Sequence, residues 1–380
     1  MKNLAKRLWG GKEGFWSMLL LALLLVVVLP SVLDIFRLNL IGKYLTYAFV
    51  AVGLVLLWGN AGVLSLGQGV FFGLGGYCMA MFLKLEASDP VSTKIQSTPG
   101  IPDFMDWNQI TSLPLIWVPF KSFPLATVAI LIVPAIVAYF VGLAMFRRRV
   151  GGVYFAIITQ ALALLLSLGI DGNQGYTGGR NGITDLRTLL GADIRSQTAQ
   201  YVLYFCTVGF LFACILLSRW MLGSRVGRIL NAMSEKEDRV RFSGYDVADF
   251  KVFIFCCAAA ISGLGGALFV LQVGFISPSL VGIVPSIEMV IFAAVGGKRS
   301  LLGAVYGTLL VNTGKSLFSE TFPQLWLFLM GGLFILVVVC MPNGLAGLWN
   351  DYGRGWLAGA KKRLWQRYPV GPTKSVAPTL

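Results

Sequence analysis

A chain of 380 residues that is 56% hydrophobic and only 13% charged is not a soluble globular protein. Its net charge of +14 invites a nucleic-acid reading, but Lys and Arg gather at the ends of apolar runs, as they do in membrane proteins, so no nucleic-acid partner is expected. No histidine is present, which removes the commonest general base and metal ligand and argues against a metal-dependent membrane enzyme.

Apolar runs recur at a length that crosses about 30 Å of hydrocarbon as a helix. Runs such as LLLALLLVVVL lack the period-two alternation of a β-barrel. The fold class is therefore an all-α polytopic integral membrane protein with about ten transmembrane helices, some short or broken. The expected spans are about 16–33, 40–58, 61–84, 124–146, 152–170, 200–218, 252–273, 284–296, 301–318 and 325–341. The first resembles a signal sequence but lacks a small-residue cleavage site, so a retained span is expected. With the N-terminus inside, most of the 31 Lys and Arg fall in the segments 1–15, 147–151, 219–251, 297–300 and 342–380. That bias places both termini in the cytoplasm of a multi-pass protein.

The expected organisation is a basic N-terminus at 1–15, one transmembrane domain at 16–342 with a cytoplasmic loop at 219–251, and a basic tail at 343–380. The tail turns Pro- and Ser-containing after Asn350, a composition that does not bury a core. The six cysteines lie in or beside apolar runs without C-x-x-C spacing, and read as small buried hydrophobes.

In chain order, the first candidate stretch is GNAGVLSLGQGVFFGLGGY, from Gly59 to Tyr77. Its glycines allow close helix approach, and Ser65 and Gln68, one turn apart, face either a polar route or, for Ser65, a backbone carbonyl. A block at Ser262–Ala267 (SGLGGA) echoes it and suggests an internal repeat. Thr159 and Gln160 sit within an apolar span, where a buried glutamine needs a partner, in another helix or in the pathway. Thr177 and Asn181 belong to a glycine-rich loop, GYTGGRNG, which re-enters the membrane, meets a delivery protein or merely connects. Glu288 lies a few residues into an apolar run, where a carboxylate is a functional candidate and its oxygens are acceptors for an N–H-rich solute.

Between two greasy segments runs Arg219–Lys251. Val226, Ile229, Leu230 and Met233 form one helical stripe there, with Arg225, Arg228, Glu235 and Asp238 outside it. Such a helix either docks its stripe in another protein's groove or is a solvated loop. The stretch Gly307–Ser316 ends like a phosphate-binding loop, but its first glycine is misplaced and it lies within an apolar span, so no nucleotide site is expected.

The blocks GVLSLGQGVFFGLGGY, GVYFAIITQALALLLSL, GYTGGRNGITDL and SRVGRILNAMSEKEDRVRFSGY together resemble the membrane permeases of branched-chain amino acid importers, an ATP-binding-cassette family. The blocks stand in family order across roughly 40–349, and YFAIITQALAL, GYTGGRNG and DRVRFSGY look closest to the branch that imports urea and short amides. The resemblance implies a bacterial inner-membrane transport subunit that is not itself an enzyme. The implied partners are a second homologous permease, two cytoplasmic ATP-binding subunits that use the ATP, and an extracytoplasmic solute-binding protein. It carries no cofactor of its own, and the implied solute is small and neutral or zwitterionic: urea or a short amide, with a branched-chain amino acid as the alternative. A passive channel would explain the spans but not the cytoplasmic helix. The resemblance implies that Gly227, Arg228, Ala232, Glu235, Asp238 and Gly244 couple to the ATPases. Asp238 and Gly244 keep the family's acidic-to-glycine spacing, while Arg239 and Val240 replace its usual alanines. Lys298–Ser300 after Gly296–Gly297 is a second departure.

Overall fold

The computed structural model describes residues 12–90, 93–94, 96–322, 325–341 and 344–348. The expected basic segment before residue 12 and the tail beyond 348 lie outside the described residues.

Ten membrane-scale helices follow the apolar runs. α1 runs through Lys12–Leu23, a π turn at Leu24–Val28, and Leu29–Val32. α2 is Ile35–Leu54, prolonged by a π segment at Val55–Asn60. α3 (Gln68–Ala87), α4 (Phe123–Phe146), α5 (Gly152–Gly172) and α6 (Gln197–Leu222) follow. Two short helices come next, α7 (Arg225–Glu235) and α8 (Glu237–Phe242). The bundle resumes with α9 (Val247–Val273), α10 (Ile283–Gly296), α11 (Leu301–Thr321) and α12 (Trp326–Cys340), and α13 (Gly344–Leu348) ends the described chain. Eight of these segments are long and apolar enough to cross a bilayer, α10 when counted with the turn from Pro278 that precedes it. The other two are α11, which carries Asn312 and Lys315, and α12, with 15 residues. The only described strands form a two-residue hairpin ladder, Thr188–Leu189 with Ala192–Asp193.

α9 is the central helix, packed against α2, α3 and α4. Its SGLGG run makes this possible. A methyl group at Gly263 would strike the Ile130 carbonyl of α4, one at Gly265 the Thr46 carbonyl of α2, and one at Gly266 the Phe72 carbonyl of α3. Successive helix positions turn by about 100°, so three neighbouring glycines admit three different helices to backbone contact. The glycine blocks of α3 and α9 thus face each other in the core: Gly75 abuts Gly263.

A different recurrence is present. α2 ends in an irregular segment at 61–67 before α3, and α9 ends in one at 274–282 before α10. Each break contains G-x-x-S, Gly62 to Ser65 and Gly274 to Ser277, and each glycine has a left-handed backbone, φ 72° and 76°. Glycine adopts this without the steric penalty of a Cβ. The expected helix at 61–84 is therefore corrected: α3 starts at Gln68, seven residues late. The chain there is apolar and largely buried, and its backbone groups find partners outside a helix. Val63 N–H donates to the Leu57 carbonyl at 3.2 Å, and Leu66 N–H to Thr159 Oγ1 at 3.1 Å. Irregular backbone at membrane depth persists only when protein satisfies it in this way.

The described basic segments 147–151, 219–251 and 297–300 collect at one end of the bundle. Gly62 abuts Ser234, Gly59 abuts Lys298, and Gly344 abuts Gly297. Residues 147–151 share a cleft with 237–251. The opposite end carries the long loops. Lys84 pairs with Asp103 at 2.9 Å, Trp117 Nε1 donates to the Tyr176 carbonyl at 2.9 Å, and Ile183 bridges to Ile276. Five cysteines are described and all are free; Cys206, contrary to expectation, is exposed.

Candidate functional site

The polar residues picked from the sequence fall into four places. The tightest group is where the first break meets α3. Gln68, the first residue of α3, and Ser262, midway along α9, are both completely buried. Ser262 Oγ lies 3.2 Å from Gln68 Oε1 and also donates to the Ala258 carbonyl at 2.8 Å. Ser65 is equally buried, and its oxygen accepts from Gly67 N–H at 3.4 Å, so it serves the backbone as an acceptor, where a carbonyl partner was the alternative. Thr159 Oγ1 donates to the Ala156 carbonyl at 2.9 Å while accepting from Leu66, and so ties α5 to the break. Ser286, on the first turn of α10, accepts from Gly69 N–H at 3.2 Å.

Five uncharged polar side chains from four helices and one break thus converge on the start of α3. Gln68 Nε2 is left without a hydrogen-bond partner. An unpaired amide N–H in an apolar interior costs about 1–3 kcal/mol. Ser262 and Ser286 were not singled out in the sequence. Serine within an apolar helix is commonly satisfied by its own i−4 carbonyl, and both make that bond, so nothing local marked them.

Gln160 does not join the group. It is half-buried, one position round α5 from Thr159, and makes no hydrogen bond among the described residues.

The second place is Glu288. Lys315 Nζ lies 2.8 and 2.7 Å from its two carboxylate oxygens. The pair is partly solvated: the side chains are 16% exposed for Glu288 and 36% for Lys315. Its two oxygens are therefore both engaged by an ammonium group. Lys315 comes from the stretch that mimics a phosphate-binding loop, and that stretch is continuous helix in α11.

The third place is the loop end. Thr177 Oγ1 sits 2.8 Å from the carbonyls of both Ile170 and Asn173, which makes it a local clasp. Asn181 is exposed and lines a cleft of about 460 Å³ with Asp103, Trp107, Asn108, Gln174 and Thr184. Nearby carboxylates are held ionised: a hydrogen bond from Arg187 keeps Asp185 below the usual carboxylate range, and the Thr98 hydroxyl does the same for Asp106.

The fourth place is α7 and α8. Ser224 caps α7 by accepting from Val226 N–H at 3.2 Å. The predicted stripe forms, but it faces inward: Leu230 and Met233 are buried, Val226 and Ile229 half-buried, against the bundle. This overturns the expectation that the stripe docks in another protein. The outward face carries Arg225, Arg228, Ala232 and Glu235 instead. Gly227 is buried against the Leu222 carbonyl. The charged stretch forms two helices, broken at Lys236. Asp238 on α8 is 86% exposed, and Gly244 has φ 84°, which ends α8 in a left-handed turn.

Residues 36–338 match the family model described as the permease component of the branched-chain amino acid transport system. The chain is 23% identical over 352 residues to the high-affinity branched-chain amino acid transport system permease protein LivM of Salmonella typhimurium, covering 87% of this chain and 74% of that one. It is 22% identical over 310 residues to the corresponding protein BraD of Pseudomonas aeruginosa, covering 80% and 92%. It is 26% identical over 226 residues to the autoinducer 2 import system permease protein LsrC of Yersinia pseudotuberculosis, covering 57% and 60%. No solved structure matches the chain.

Proposed function

The chain belongs to the permease components of branched-chain amino acid transport systems, and from that premise we propose that it is the membrane-spanning subunit of an ATP-driven importer. In this reading the α7–α8 end faces the cytoplasm, where two ATP-binding subunits meet the polar face of α7 and the exposed α8. The loop end receives a solute-binding protein at the cleft bearing Asn181, and a second permease completes the route. Closure of the ATPases moves α7, whose buried stripe lies against the π segment 55–60. That segment leads directly into the break at 61–67 and the Gln68 group. The observation that carries the proposal is this continuity: the amphipathic helix leans on the helix end from which the buried polar cluster springs.

The solute is a branched-chain amino acid, the cargo named for the relatives LivM and BraD. A second reading, urea or a short amide, is favoured by one feature. The Gln68 group is uncharged and Glu288 is neutralised by Lys315, which suits a neutral carbonyl compound. Competition between labelled leucine and labelled urea for uptake in cells carrying or lacking the whole complex separates the two. Uptake into vesicles that persists without ATP would overturn the importer reading itself.

A further inference from the structure

At the α7–α8 end a cleft of about 620 Å³ opens between the end of α4, the turn that leads into α5, the first turn of α9, and α8. We propose that it holds the phosphate headgroup of an anionic phospholipid.

The charge in the cleft is unbalanced. Arg147, Arg149, Arg241 and Lys251 line it, against Glu237 and Asp246. Glu237 is already shared between Arg241 at 3.1 Å and Lys251 at 2.6 Å. Asp246 caps α9 by accepting from Ala248 N–H at 2.9 Å. Among the described residues no carboxylate pairs with Arg147 or Arg149. Two guanidinium groups thus line the cleft with no carboxylate partner among the described residues, and guanidinium binds phosphate oxygens in a bidentate fork. Gly151, which also lines the cleft, is the N-cap of α5 and offers no side-chain cap, so the first N–H groups of that helix add to the positive field.

The setting selects a lipid over a soluble phosphate. The cleft sits where three spans end, at the depth of headgroups, and basic pockets between span ends recruit anionic lipids. Its surroundings are apolar and outward-facing. Val153 and Tyr154 on α5 are 72% and 74% exposed. These surfaces give acyl chains a track to follow from a bound headgroup. Phe146 at the cleft floor is packed on Phe155 and receives Lys251 Nζ at 5.9 Å from its ring centroid, which keeps that ammonium aimed into the site.

This proposal goes beyond the transport reading and does not depend on it, because headgroups lie at both faces of a membrane. The test uses the full complex, extracted in mild detergent and offered phosphatidylglycerol or phosphatidylcholine in mixed micelles. Retained lipid is counted by native mass spectrometry. The expected result is that the native complex keeps phosphatidylglycerol through washing, keeps phosphatidylcholine at least about tenfold less, and that a variant carrying Arg147→Glu and Arg149→Glu loses the difference. Equal retention by native and variant complexes overturns the proposal. So does displacement of the lipid by millimolar inorganic phosphate, which would make the site one for soluble phosphate. If the variant keeps its lipid but sheds its cytoplasmic subunits, the cleft is a protein-docking surface and the proposal also fails. Because both arginines project from an exposed turn, an unchanged melting temperature confirms that the variant is folded.

Discussion

Ser262 on α9 and Gln68 at the head of α3 share a buried hydrogen bond at 3.2 Å, although 194 residues separate them in the chain. The bond uses the glutamine's oxygen and leaves its Nε2 unpaired in a completely buried setting. Replacing Gln68 with Leu keeps the volume and removes this unpaired donor. Its structural effect should be small, within about 1 kcal/mol, because loss of an unsatisfied polar group offsets loss of one hydrogen bond. Uptake should nonetheless fall about tenfold or more if the group lines the route. Thermal stability of the detergent-extracted complex and initial uptake rate are the two measurements. A normal rate in a normally assembled complex would return Gln68 to a purely structural role.

The close approach of α3 and α9 gives a sharper structural test. A methyl group at Gly75 would overlap the Gly263 carbonyl, and backbone cannot step aside as a flexible side chain can. Gly75→Ala should therefore destabilise the protein by about 1–3 kcal/mol. Gly209→Ala, on α6 with nothing within 4 Å, is the control and should leave the melting temperature unchanged or slightly raised. Similar melting curves for both variants would contradict the described packing.

For Glu288, the pairing with Lys315 changes what a substitution reports. Glu288→Gln removes the carboxylate that Lys315 pairs with, at a cost of about 1–3 kcal/mol, less than for a fully buried pair because Lys315 is partly exposed. The exchange Glu288→Lys with Lys315→Glu should restore most of that stability. If uptake recovers with it, the pair is structural. If uptake stays low, a carboxylate at 288 is itself required.

On the α7–α8 surface, the outward residues rather than the apolar stripe are the expected partner contacts. Arg228→Glu and Asp238→Arg should each lower co-purification of the ATP-binding subunits by about three- to tenfold, within the range of a lost interface charge pair. Helix content should not change, since both side chains are exposed. Leu230→Ala should act differently: it removes buried volume and lowers stability by about 2–4 kcal/mol. If the stripe variant alone disrupted ATPase binding while the complex melted normally, the inward orientation of the stripe would be wrong.

The positions of the ten helices were legible because an apolar run is a local property, and each residue adds to it independently of the fold. The one sizeable misreading, 61–67, has the same origin. An apolar stretch reads alike whether it is helix or buried irregular chain, and only the distant Thr159 hydroxyl, waiting for the Leu66 N–H, shows which. Likewise the stripe of α7 was visible as a stripe, but its direction depends on where the π segment of α2 ends, which no periodicity records. Lys315 was set aside with a false nucleotide motif because its partner lies 27 residues away on another helix.

From the sequence alone came the membrane class, the span positions and the gathering of basic segments, since hydropathy and charge act on the chain piece by piece. Tertiary structure alone decided which polar groups meet. Gln68 finds Ser262, Thr159 finds Leu66 and Glu288 finds Lys315 because α9's glycines draw three helices to backbone contact and two left-handed glycines break the chain where they do. Those outcomes depend on packing between distant segments, where moving one helix by a single turn would change every partner.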